Sequence, residues 1–341
     1  MQIFGRLYQR TAVALLPILL CLFTATASAQ IGDTAVEHLT PPPISGRSLA
    51  EPETILASDV LARVELVRAN VELIRKYMGL AVPSAPVLQV SAARPRETYS
   101  QALNLERRAN RLAFEHVRAL LKASQPLHRN VRTYDVFQLV DGVLVAVLAV
   151  KADMDIQVAV AEKLQSPDTV PADVFNATVK AGSEINNLLA QETGSSDVFQ
   201  TVTSAVHIAA SLHLKIPDGP SFPGEPAFEP NKSPYDVFMR MQSCFQLISE
   251  LAMEQGIDPL EFDIPVERAL LVQQNDVSDI AFLLLEELNG IHRRILDAPE
   301  PARAYYPGKK FAAHVYQRVG LLERILQDLV DAKMLTSVTE E

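Results

Sequence analysis

The sequence predicts an all-α protein: a tandem duplication of a four-helix unit, with eight main helices on a repeat of about 38 residues, closing as a helical bundle or a solenoid-like array. Three observations carry this. A three-residue signature recurs along the chain, helix-starting residues precede several copies, and apolar residues in steps of three and four follow them.

The signature is an acid, usually followed by Val, with an aromatic or apolar residue next. It stands at Asp59-Val60-Leu61, Glu97-Thr98-Tyr99, Asp135-Val136-Phe137 and Asp173-Val174-Phe175. It returns at Asp197-Val198-Phe199 and Asp236-Val237-Phe238, then more loosely at Asp276-Val277-Ser278 and His314-Val315-Tyr316. The third positions are 38 residues apart in the first set; after a step of 24 they continue at 39, 40 and 38. Two sets of four imply that a four-unit block was duplicated.

Before the first unit, residues 1–29 have the pattern of an export signal. Arg6 and Arg10 precede the short apolar run Ala12 to Phe23, and Ala27-Ser28-Ala29 offers a small-x-small cleavage site. Cleavage there leaves 29 basic and 41 acidic side chains and Cys244 as the only thiol, so no internal disulfide can close. The address this implies is a bacterial periplasm. Residues 30–52, with Pro41-Pro42-Pro43, Gly46 and Pro52, are expected to be a flexible lead-in. No later run is expected to span a membrane, since Leu139 to Val150 is short and carries Asp141.

The four-helix units are expected at 53–192 and 193–338. Pro95, Pro171 and Pro234 stand two residues before the acid, where a first helical turn tolerates a missing N–H. The acid then falls at the third helical position, where it caps the helix and meets the positive end of its dipole. Unit one continues as Val60, Val64, Val67, Val71, Ile74 and Met78, and unit eight as Val315, Val319, Leu322, Leu326 and Leu329, both heptad-like seams. Units three and seven are apolar on more of their circumference and should be the most buried. Linkers of about fifteen residues, such as 82–95 and 216–234, are long enough to return along a helix, so they permit parallel or antiparallel neighbours. The short Glu192-Thr193-Gly194-Ser195 joint should instead reverse the chain.

Composition narrows function by exclusion. A 48% hydrophobic share is too high for disorder over most of the chain, and a net charge of −10 opposes nucleic-acid binding along its length. The recurring acid is accounted for as a cap, the recurring aromatic as a core anchor, and Cys244, between Met241 and Phe245, as inert packing. Seven scattered histidines include no pair at i, i+4, and Asp153 and Asp155 suit a solvated loop better than a cation site. No P-loop, dinucleotide fingerprint, GxSxG elbow or EF-hand loop occurs. No cofactor and no metal are therefore expected. Gly290-Ile291-His292 resembles the start of the Gly-x-His-x-x-Glu motif of imelysin-like periplasmic proteins, which are also duplicated helical bundles, but Ile295 stands where the Glu belongs. The resemblance extends to architecture alone.

One segment departs from the background. Residues 94–132 carry nine basic side chains against Glu97, Glu106 and Glu115, whereas the corresponding 233–271 carries seven acids against Arg240 and Arg268. Drift on a solvated surface accounts for the divergence without any contact. The sharper expectation is that the segments face one another, within the chain or across a dimer; if they do not meet, Arg107, Arg108 and Arg111, on one helix side by i, i+3 and i+4 spacing, form an anion-binding face. The leading functional expectation is an exported, non-catalytic helical-repeat protein of the bacterial cell envelope that binds a protein partner or acts as an assembly scaffold. The alternative is a periplasmic module for an anionic ligand or a membrane surface, and the third reading is a hydrolase with an unrecognised site.

Overall fold

The computed structural model describes residues 55–118, 124, 131–190, 193–216, 219–260, 264, 266–295 and 298–332; the expected export signal 1–29 and lead-in 30–52 lie outside them. The chain is an all-α helical bundle protein, with no strand among the described residues. Its helices are α1 (Ala57–Tyr77), α2 (Pro95–Val117), α3 (Thr133–Asp153), α4 (Pro171–Asn186), α5 (Ser195–His213), α6 (Pro234–Glu254), α7 (Val266–Ala269), α8 (Gln274–His292) and α9 (Ala312–Asp331). The eight long helices begin at the eight signatures, and the four-residue α7 lies in a linker.

One device starts every long helix. The third-position carboxylate turns back and accepts the backbone N–H of the N-cap residue at 2.7–3.0 Å, in Asp59, Glu97, Asp135, Asp173, Asp197, Asp236 and Asp276. His314 takes the same place in α9, its Nδ1 accepting from the Phe311 N–H at 3.2 Å. Six of the eight N-cap residues (Leu56, Arg94, Arg132, Val170, Gln273 and Phe311) are poor caps, so the returning side chain does the capping. Ser233 alone among the eight also gives the reciprocal bond, from Asp236 N–H to Ser233 Oγ. The fourth position is the constant anchor: Val60, Thr98, Val136, Val174, Val198, Val237, Val277 and Val315 are all at most 2% exposed. The aromatic after it is buried in Tyr99, Phe137, Phe175 and Phe238 but only half-buried in Phe199 and Tyr316. There cations cover the rings: Lys310 and Arg318 on Phe199, Lys232 and Arg240 on Tyr316.

Both halves are wired alike. α1 and α2 each pack on α3 and α4, while α5 and α6 each pack on α8 and α9, so the diagonal pairs are α1 with α2, α3 with α4, α5 with α6, and α8 with α9. Within each bundle all helices point the same way. The first residues of α1, α2, α3 and α4 (Ala57, Pro95, Thr133 and Pro171) surround one small apolar cavity. In the second bundle Ser195 reaches Gln274 and the Lys310 N–H reaches Ser196 at the starts, whereas His213 meets Asp328 near the ends. Between α6 and α9 the pairs advance together, Arg240 with Tyr316 and Glu323, and Cys244 with Val319.

Parallel helices require the long linkers as return straps. The α1–α2 strap runs back along α4, from Ala81 beside Asn187 to Val90 beside Asn176. The α5–α6 strap runs back along α9 in the same sense, from Gly224 beside Arg324 to Pro226 beside Gln317. The α3–α4 strap places Glu162 on Arg63 of α1, and the α8–α9 strap places Ala302 and Ala304 on α5.

The bundles meet through α2 and α8, which cross in opposite directions. Arg96 near the start of α2 meets Glu287 near the end of α8, and Arg108 near the end of α2 meets Asp279 near the start of α8. The short connector after α4 therefore reverses the chain. Val87, Leu88 and Val90 of the first strap, and Phe175 and Val179 of α4, join the core of the second bundle and bind the halves together. α8 is heavily buried, as its pattern predicts, but polar α2 is buried as fully as apolar α3 because α8 covers it. α3 is long and apolar enough to cross a membrane; in this fold its Val140, Val143, Leu144 and Val147 lie in the first core.

Candidate functional site

A cavity of about 1050 Å³ opens where the two bundles meet. One wall is α2, through Asn104, Arg107, Arg108 and Arg111. A second is α5, which presents Gln200, Thr201, Ser204 and Ile208, and a third is α8, with Ser278, Phe282, Leu285 and Asn289. The strap segment 298–304 forms the remaining side, and Leu189 and Thr193 of the α4–α5 connector border one end. The strap is pinned by side chains donating to its carbonyls: His207 Nδ1 to Ala302 O at 2.7 Å, Gln200 Nε2 to Ala304 O at 3.2 Å, and His292 Nε2 to Pro299 O at 3.0 Å. Both histidines thus have a structural task.

All three arginines named from the sequence line this cleft, but they are not equivalent. Arg108 is buried and gives its NH2 to Asp279 Oδ1 at 2.7 Å; its predicted role as a free cation is corrected by this pair. Its Nε has no partner. Arg111 holds Glu115 at 3.2 Å, and Glu115 in turn accepts from the Ala190 N–H of the connector. Arg107 lies over the Phe282 ring, 4.7 Å from its centroid, and has no carboxylate within ion-pair distance among the described residues. Among the described residues the expected confrontation of 94–132 with 233–271 is an ion pair of Arg94 with Asp258, while Arg96 and Arg108 turn to α8 instead.

Two more arginines join from the second half, Arg293 at the end of α8 and Arg303 on the strap. Neither makes an ion pair among the described residues; Arg303 lies 6.0 Å from the Tyr305 ring. Against these five guanidinium groups the lining offers Asp197, already spent as a cap, and Glu300. Arg107 and Arg293 are reached by solvent, yet the concave wall removes enough water to push both pKa values down, with Glu286 the main offsetting charge. Elsewhere Arg68 and Arg96 have raised values because carboxylates sit directly on them. Arg107 and Arg293 have no carboxylate at ion-pair distance among the described residues to give that compensation.

Behind the cleft lies a buried acidic row on α8. Burial pushes Asp279 up to about 6, against the opposing pull of Arg108, and its Oδ2 has no partner. Burial likewise pushes Glu287 up to about 7 although Arg96 bonds both its oxygens at 2.8 and 2.9 Å. Glu286 and Asp276 are raised for the same reason. Cys244 is fully buried, and burial pushes its thiol up, away from the thiolate form. Among the described residues no three His, Cys, Asp or Glu side chains gather closely enough to hold a metal ion.

No family model, no curated protein and no solved structure matches this chain.

Sequence reasoning named the α2 wall and missed Arg293 and Arg303. Arg293-Arg294 at a helix C-terminus reads as a complement to the dipole. Arg303 lies on a linker whose course depends on the parallel packing.

Proposed function

We propose that this protein is a binding module for an anionic small molecule, held in the cleft between the two bundles. The observation that carries the reading is Arg107 and Arg293 facing one concavity, partly desolvated and without an ion-pair partner among the described residues. A guanidinium in that state gains from a carboxylate or phosphate that brings the missing charge. The cleft favours ligand binding over the scaffold reading. Its apolar and hydroxyl-bearing α5 and α8 walls suit a molecule of moderate size.

Thermal unfolding with added anions tests this. Citrate and long dicarboxylates should raise the Tm of the wild-type chain by several degrees beyond sodium chloride of equal ionic strength. In an Arg107→Glu/Arg111→Glu variant, which leaves the buried Arg108–Asp279 pair intact, that rise should vanish. Equal shifts in both proteins, or none in either, would defeat the reading. The proposed setting is the periplasm, after cleavage that leaves Gln30 first, motivated by Ala27-Ser28-Ala29. An intact Met1 terminus on protein purified from the envelope would contradict it.

A further inference from the structure

Resting on that reading, we infer that the ligand is a dianion whose two anionic groups stand roughly 10 Å apart across an uncharged segment, one at Arg107 and the other at Arg293. The ruler is α8. Arg107 is seated on Phe282. Arg293 follows eleven residues later, which is about three turns and about 16 Å along the axis, on the same face. Side chains lean toward the helix N-terminus, so the long Arg293 side chain brings its guanidinium back by several Å. Between the two stations the α8 wall offers Leu285 and Asn289, neither charged, and the facing strap brings Ala298 and Pro301 together with the opposite charges of Glu300 and Arg303. Along α8 the wall is therefore cationic at its two stations and uncharged between them. Glu286, the acid near both arginines, is buried and bonded to Asn289, outside the lining. A single anion would satisfy one station and leave the other uncompensated.

An unbranched alkane dicarboxylate advances about 1.2 Å per bond, so azelate, with eight bonds between its carboxyl carbons, matches the span. Calorimetric titration of the full chain with succinate, adipate, azelate, dodecanedioate and the monoanion nonanoate, at fixed ionic strength, measures the dependence on length. Affinity should rise from succinate to a maximum near azelate, which should bind at least tenfold more tightly than nonanoate. Arg107→Gln and Arg293→Gln, both at exposed positions, should each remove that tenfold advantage while leaving helicity and Tm unchanged. Affinity independent of length, or nonanoate equal to azelate, would overturn the two-station inference and leave anion binding standing. Failure of every anion to bind would remove both. Azelate binding that survives both substitutions would place the ligand elsewhere and overturn the inference.

Discussion

Asp173 and Arg108 show how one residue type is legible while another is not. An acid at the third helical position has its partner three residues back, so spacing alone assigns the cap. Arg108 finds Asp279 171 positions away, and no local pattern announces that pair. Room for it is made by Gly182 on α4, where an added Cβ would stand 2.5 Å from the Arg108 NH1. Replacing glycine by alanine inside a helix ordinarily gains about 1 kcal/mol. Here Gly182→Ala must displace a buried guanidinium from its carboxylate, a loss of about 3–5 kcal/mol when such a pair is broken. We expect net destabilisation of about 2 kcal/mol or more in urea unfolding, and a gain in stability would show that Arg108 moves aside freely.

At the scale of elements, helix existence and starts follow from the signature, but helix direction does not. Straps of about fifteen residues permit either direction, and the choice is made by straps finding grooves, as Ala302 does on His207. α2 is the instructive misfit. Its Glu97, Gln101, Asn104, Glu106 and Arg108 suggest a solvated face, yet all are buried, because polar partners satisfy them. The matching row on α8 makes stability depend on pH. Asp276, Asp279, Glu286 and Glu287 all have raised values, so the folded state holds their protons more tightly than the unfolded chain. Stability is then greatest below the unfolded values near 4 and is lost as pH rises through about 6 to 7. We expect the Tm to fall between pH 4.5 and 7.5. Asp279→Asn with Glu287→Gln should flatten that slope. A Tm that climbs over the same interval would contradict the assignment.

For the whole molecule, the two sets of four signatures and the short joint correspond to two bundles of identical wiring. Four parallel helices place like dipole ends side by side. The returning acids offset this at each bundle's N-terminal end, and the opposed direction of the two bundles offsets it between them. The site arises from that opposition, since antiparallel bundles bring Arg107 of the first half onto Phe282 and into one cleft with Arg293 of the second. Half of the cleft was legible as an arginine cluster; the other half required the bundle orientation. The most direct test of the account is a crystal structure grown with azelate. It should show two parallel four-helix bundles running in opposite directions, with the dicarboxylate lying along α8 between Arg107 and Arg293. An empty cleft with azelate ordered elsewhere, or α2 and α8 running in the same direction, would contradict it.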